Sequence, residues 1–168
     1  ATALGAHRVS SFDLRFAVRQ LVEVAVRALS PGVNDPHTAI SVLDRLGAAL
    51  CEMEPVFLRS GVSLVQERVV LVVPHIQYDQ LLNTMFHMIR QNAAGNAAVL
   101  MRQLEVLTQV VSYERDRERM ICLKRHADLV IEDAERDIAT PGDLEDLRRR
   151  YRAFVATMND GPLGWLAS

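Results

Sequence analysis

The sequence predicts a mainly α fold: a helical bundle of about six helices with one small β-hairpin, in a single domain over residues 1–168. Three observations carry this. Apolar residues make up 49% of the chain and aromatics only 5%, so the core must be aliphatic, which favours helices over a β-sandwich. Apolar positions recur at three- and four-residue steps over most of the chain. Pro and Gly fall between the periodic runs, where helices start and stop. A length of 168 residues suffices to bury a real core.

The first helix is expected over Phe12 to Leu29. Its apolar residues include Phe12, Leu14, Phe16, Val18, Val22 and Val26. A helix apolar around most of its girth is buried on most sides, so this one is expected at the centre of the bundle. Arg15, Arg19, Glu23 and Arg27 recur every fourth residue and form one stripe. As a solvated edge, each of its Arg–Glu pairs contributes about 0.3–0.5 kcal/mol. As the wall of a groove, its arginines would face an anion or a partner carboxylate.

A corner follows. Pro31 cannot continue a helix, and Gly32 is expected to take the positive φ that ends one. Asp35 sits where an N-cap belongs, Pro36 at the first helical position and Thr38 at the third. Ser30 and Asn34 have short side chains suited to loose backbone groups in a turn. Pro31, Gly32, Asp35, Pro36 and Thr38 therefore read as a structural corner. Arg19, Arg27, Ser30, Asn34 and His37 are the candidate ligand-binding set, with an anion at the helix N-terminus as the natural ligand. The Asp35 carboxylate counts against it, because it already occupies the dipole.

The second helix is expected from Pro36 to about Met53, closed by Pro55. Val62–Val65 and Val69–Val73 are β-branched and bounded by Gly61 and Pro74; they predict a hairpin turning at Gln66-Glu67-Arg68, with Val56-Phe57-Leu58 as a possible third strand. Its apolar edge would offer a surface for self-association. Helix returns at about Tyr78, with Leu81, Leu82, Met85, Phe86 and Ile89 inward and Asp79, Asn83 and His87 outward. Gln91 to Asn96 breaks it at Gly95. A fourth helix spans Ala97 to Ser112. A fifth starts in the alternating charges Glu114 to Arg119, read as solvated, and runs to about Ala139. Thr140 and Pro141 open a last helix, with Arg148, Arg149, Arg150 and Arg152 on its outer face. Residues 1–11 read as a poorly ordered leader. Residues 161–168 read as a similar tail, in which Trp165 stands apart.

The residues Phe16-Ala17-Val18-Arg19-Gln20-Leu21-Val22-Glu23, Ala28-Leu29-Ser30-Pro31-Gly32-Val33-Asn34-Asp35-Pro36 and Thr38-Ala39 carry a resemblance. They are similar to a phrase close to F-G-I-R-Q-L-V-D-I-A, then A-L-S-P-G-I-N-D-P, then T-A, shared by a bacterial family of predicted membrane proteins of unknown function. Ala17 stands for the usual Gly and Val33 for the usual Ile. A looser likeness lies around Arg68-Val69-Val70 and Ile89-Arg90. The resemblance implies a longer parent with N-terminal transmembrane helices, and a soluble C-terminal region on the cytoplasmic side of the inner membrane. The chain opens on Ala1, as expected of an excised piece. The family supplies no activity and no catalytic residue to carry over.

A net charge of −2 lacks the electrostatic footprint of a nucleic-acid binder. No apolar run approaches the ~18 residues of a membrane span. Cys51 and Cys122 read as free, buried thiols. No phosphate-binding Gly loop, nucleophile elbow or zinc-spaced Cys/His pair is present, and nothing calls for a cofactor. A metal reading would use His75 with Asp79, or Asp79 with His87; a hydrolase would add Asp35 and His37. These patterns leave three expectations. The first is a non-catalytic accessory or oligomerisation region, a homo-oligomer coupled to the membrane part of its parent. The second is an anion or small-ligand sensor at the corner. The third, and least supported, is a metal-dependent hydrolase.

Overall fold

The computed structural model describes the backbone of residues 11–57, 62–65, 68–72 and 77–160, and the side chains of 14–53 and 77–160. The leader, the tail with Trp165, His75 and the Gln66-Glu67 turn lie outside the described residues. The architecture is mainly helical. Six helices are present among the described residues: α1 (Ser11–Ala28), α2 (Pro36–Phe57), α3 (residues 78–92), α4 (Ala97–Tyr113), α5 (Arg117–Asp137) and α6 (Pro141–Asp160). Between α2 and α3 the backbones of β1 (Val62–Val65) and β2 (Arg68–Val72) pair antiparallel, with a register shift between Ser63 and Leu64.

The centre of the bundle is α4, not α1. Helix α4 packs against α2, α3, α5 and α6. Leu100, Leu104 and Leu107 are buried on one side of it, and Val99, Gln103 and Val106 on another. Helix α1 packs on α2 and α3 at the edge of the bundle. It buries the single stripe Val18, Val22, Ala25 and Ala28, while Phe16 and Val24 are 62% and 49% exposed. The expectation of a central first helix therefore fails. Its apolar residues fall on two faces, and only one meets the core; a high apolar count does not by itself bury a helix.

Several boundaries also differ from expectation. Helix α2 runs past Pro55 to Phe57, so Val56 and Phe57 are helical and not a strand. A proline so near a helix end forfeits little beyond its own missing N–H bond. Helix α3 contains a π-helical turn, Asn83–His87, between two α-helical segments. Such turns insert a wider i→i+5 step without ending the helix. It stops near Asn92, and Gly95 takes φ 75° in the link to α4, as a chain reversal there requires. Asn96 caps α4 by accepting from Val99 N at 3.2 Å. Asp116 caps α5, accepting from Glu118 N at 2.8 Å and Arg119 N at 3.1 Å.

Ion pairs stitch the helices together. Asp44 of α2 accepts from Arg102 Nε at 2.5 Å, Arg102 reaches Glu105 at 2.9 Å, and Glu105 accepts from Arg150 Nε of α6 at 2.7 Å. Burial pushes the Glu105 carboxyl up, but hydrogen bonds from Arg150 and Arg102 more than offset it and leave it below the usual range. Arg148 of α6 pairs with Glu135 of α5 at 3.0 Å. Arg149 and Arg152 pair along their own helix with Asp146 and Glu145. The arginine-rich face of α6 is thus a set of exposed ion pairs, each of small weight.

Candidate functional site

The corner between α1 and α2 is built by backbone bonds first. Asn34 N donates to Ser30 O at 2.9 Å, and Asp35 N reaches back to Ala28 O at 2.8 Å. Asn34 takes the left-handed conformation, at φ 48°. Gly32 does not, which corrects the role expected of it. Asn is the non-glycine residue best suited to that conformation, because its short amide can bond locally. Ser30 Oγ donates to Arg27 O at 2.7 Å and helps close the end of α1. The Asp35 carboxylate accepts from Thr38 N at 3.2 Å and Thr38 Oγ1 at 2.5 Å. These bonds hold the Asp35 carboxyl below its ordinary range, the hydroxyl of Thr38 contributing most.

The candidate ligand set lies along this edge of the molecule. Arg19, Asn34 and His37 are exposed, Ser30 is half-buried, and Arg27 pairs with Glu23 one turn back. The His37 carbonyl accepts from Ser41 Oγ at 3.0 Å. Arg15, at the head of the same stripe, donates to Gln80 of α3 at 2.9 Å. The stripe therefore divides: its first arginine ties α1 to α3, and its last is paired within the helix.

A second polar region lies between α3 and α5. Asp79 accepts from Asn83 Nδ2 at 3.2 Å and from Arg125, which also reaches Asn83 Oδ1 at 3.0 Å. Deeper in, Arg90 and Asp133 form a buried ion pair, and Arg136 approaches the other carboxylate oxygen of Asp133 at 2.7 Å. His87 Nδ1 lies 3.5 Å from Arg90 Nη2. His126 is fully buried, packed edge-on to Phe86 with ring centroids 6.0 Å apart, and neither ring nitrogen has a protein partner. Burial, reinforced by Arg125, lowers its pKa to about 4, so the ring is neutral at physiological pH.

Beside this region an open cleft of about 340 Å³ is lined by Gln77, Tyr78, Asp79, Asp116, Glu118, Arg119 and Cys122. Its chemistry is subdued. Asp116 is engaged as the α5 cap and Asp79 by Asn83 and Arg125. Arg119 lies 5.4 Å from the Tyr78 ring centroid, a cation–π contact. Burial pushes both the Tyr78 phenol and the Cys122 thiol up, away from nucleophilic forms. Cys51 is likewise a free thiol raised by burial. No group of three or more His, Cys, Asp or Glu among the described residues is arranged to hold a metal.

Sequence reasoning missed Arg90, Gln103, Glu114, His126 and Asp133 as buried polar residues. Glu114, expected in a solvated run, is buried and accepts from Arg115 N and Asp116 N at 2.9 Å each. For two of the others a signal existed. His126 and Asp133 fall on the stripe of Leu123, Ala127, Val130 and Ala134, at steps that one helix face requires.

The class these features define is a helical bundle held by an aliphatic core and interhelical ion pairs, with an exposed apolar face on its first helix. The chain belongs to a family described as "Predicted membrane protein (DUF2254)", whose model matches residues 1–109. Among its relatives are the uncharacterized proteins Rv1290c of Mycobacterium tuberculosis (strain ATCC 25618 / H37Rv) and Mb1321c of Mycobacterium bovis (strain ATCC BAA-935 / AF2122/97). Each is 30% identical over 141 residues, covering 83% of this chain and 27% of the relative. The chain thus spans about a quarter of the length of these curated relatives. No solved structure matches. No described helix is long and apolar enough to cross a membrane.

Proposed function

We propose that this chain is a non-catalytic accessory region of a longer bacterial membrane protein, working by self-association or by coupling to the membrane-spanning part. In this reading it lies on the cytoplasmic side of the inner membrane. One observation carries it: the carboxylates that offered chemistry are engaged in architecture. Asp35 caps α2 through Thr38, Asp116 caps α5, and Asp79 is held by Arg125 and Asn83. Groups so engaged must give up hydrogen bonds before they can act on a substrate. The family match and the greater length of the relatives support a part within a larger membrane-associated protein. The hairpin of β1 and β2 is a finer feature of the same reading: two strands alone are marginal in water, so its edges suit a partner.

A second reading, an anion-binding corner, draws on the exposure of Arg19, Asn34 and His37 near the start of α2, with Arg27 and Ser30 beside them. A thermal-shift screen against phosphates, nucleotides, carboxylates and divalent metals separates the two. The accessory reading expects no change in Tm. A saturable rise that Arg19→Ala abolishes would overturn it in favour of the corner, and a rise with a metal, matched by elemental analysis, in favour of metal chemistry.

A further inference from the structure

We infer that the outer face of α1 is a self-docking surface that pairs with α1 of a second copy, antiparallel and centred on Gln20. This rests on the accessory reading and gives it a named interface. The outer face is formed by Phe16, Gln20, Glu23, Val24 and Arg27, all exposed, turned away from the buried stripe Val18, Val22 and Ala25. Two large apolar side chains in the open on one helix are a poor match to water and a good match to each other.

The spacing selects the partner. Positions 16, 20 and 24 lie four residues apart, a pattern symmetric about 20. A two-fold axis through Gln20 therefore maps the row onto itself. It sets Phe16 of each copy against Val24 of the other. On the flank of the row, Glu23 comes within side-chain reach of Arg19 of the second copy. The flanking Glu23 and Arg19 thus meet their opposites across the pair. A parallel pairing would instead set Arg19, Glu23 and Arg27 each against its own kind, which is unfavourable. Charge complementarity thus favours an antiparallel second copy.

The test uses the whole chain. Sedimentation or light scattering with increasing concentration should show a monomer–dimer equilibrium. Phe16→Asp should weaken it about ten-fold or more, since an apolar anchor at a helix interface is replaced by a charge. Glu23→Arg should weaken it, and adding Arg19→Glu should restore it. In a Cys51→Ser/Cys122→Ser background, Gln20→Cys should form an intermolecular disulfide under mild oxidation, while the exposed position of Ala48 on α2, changed to Cys, should not. A strict monomer at high concentration would overturn the inference yet leave the accessory reading to stand on coupling to the membrane part. So would a dimer indifferent to Phe16→Asp and to the charge swap, or a monomer that binds phospholipid vesicles through Phe16. A ligand-induced Tm shift, in contrast, would sink the accessory reading while the dimer survived.

Discussion

His126 is the residue whose burial has the clearest consequence. Its neutral ring sits against Phe86 with no protein partner for either nitrogen, and its pKa falls from 6.5 to about 4. The unfolded chain therefore takes up a proton near pH 6.5, while the folded chain resists until about pH 4. Stability from this group is complete above pH 6.5, declines as pH falls between those two values, and levels off below the lower one. The full loss corresponds to about 3 kcal/mol, because each tenfold drop in proton affinity on folding is worth about 1.4 kcal/mol. Urea denaturation at a series of pH values should show it as a difference between the parent and His126→Leu, whose stability should be flatter over that window. Parallel curves would show that the ring is hydrated or paired in the folded state. The residue was legible in sequence only through its neighbours, since nothing about a lone His says that it is buried. The corner shows the opposite case. Asp35, Pro36 and Thr38 are legible because capping is local chemistry. The positive φ went to Asn34 and not to Gly32, because the Asp35 N–H bond to Ala28 O fixes where the chain reverses, and that bond spans the corner.

At the scale of elements, α2 and α4 approach closely at one glycine. Gly47 lies on α2 where an added Cβ would fall 2.5 Å from Val106 Cγ1. Val106 is buried and β-branched, so it has little rotamer freedom with which to give way. An alanine in a helix interior would ordinarily gain about 1 kcal/mol over glycine. Here overpacking opposes that gain, typically by about 1–3 kcal/mol, so Gly47→Ala should be net destabilising. Adding Val106→Ala should recover more than the single changes predict by sum, a coupling readable in a double-mutant cycle of denaturation midpoints. Simple additivity would place the two helices further apart. Helix starts at Pro36 and Pro141 were legible from their caps and prolines, and the start at Ala97 from the break at Gly95. The π-turn of α3 was not, because the residues Asn83–His87 continue the apolar period of the segments around them. Neither was the Arg90–Asp133 pair, whose partners lie 43 residues apart and meet only when α3 packs on α5.

For the whole molecule, the question is which helix the others depend on. Helix α4 touches α2, α3, α5 and α6, and removing any of its inward leucines would open a cavity shared by several neighbours. Helix α1 is held by one buried stripe of small apolar residues, by the half-buried Leu14, Leu21 and Val26 beside it, and by Arg15 on Gln80. Long and aliphatic in composition, α1 looks in sequence like the better candidate for the centre. Composition does not record that Phe16 and Val24 lie on one face while Val18, Val22 and Ala25 lie on the other. Native-state hydrogen exchange resolves the hierarchy. Amides of α4 should exchange only through global unfolding, with a free energy equal to that from denaturant titration. Amides of α1 should exchange through a smaller, local opening. The self-docking surface adds a second dimension. If a second copy covers the outer face of α1, the free energy of that opening must rise with protein concentration, while α4 in the assembled state tracks global stability. Equal protection of the two helices at every concentration would show that α1 is integral to the core. Unequal protection that ignores concentration would keep α1 at the edge but remove the second copy from its outer face.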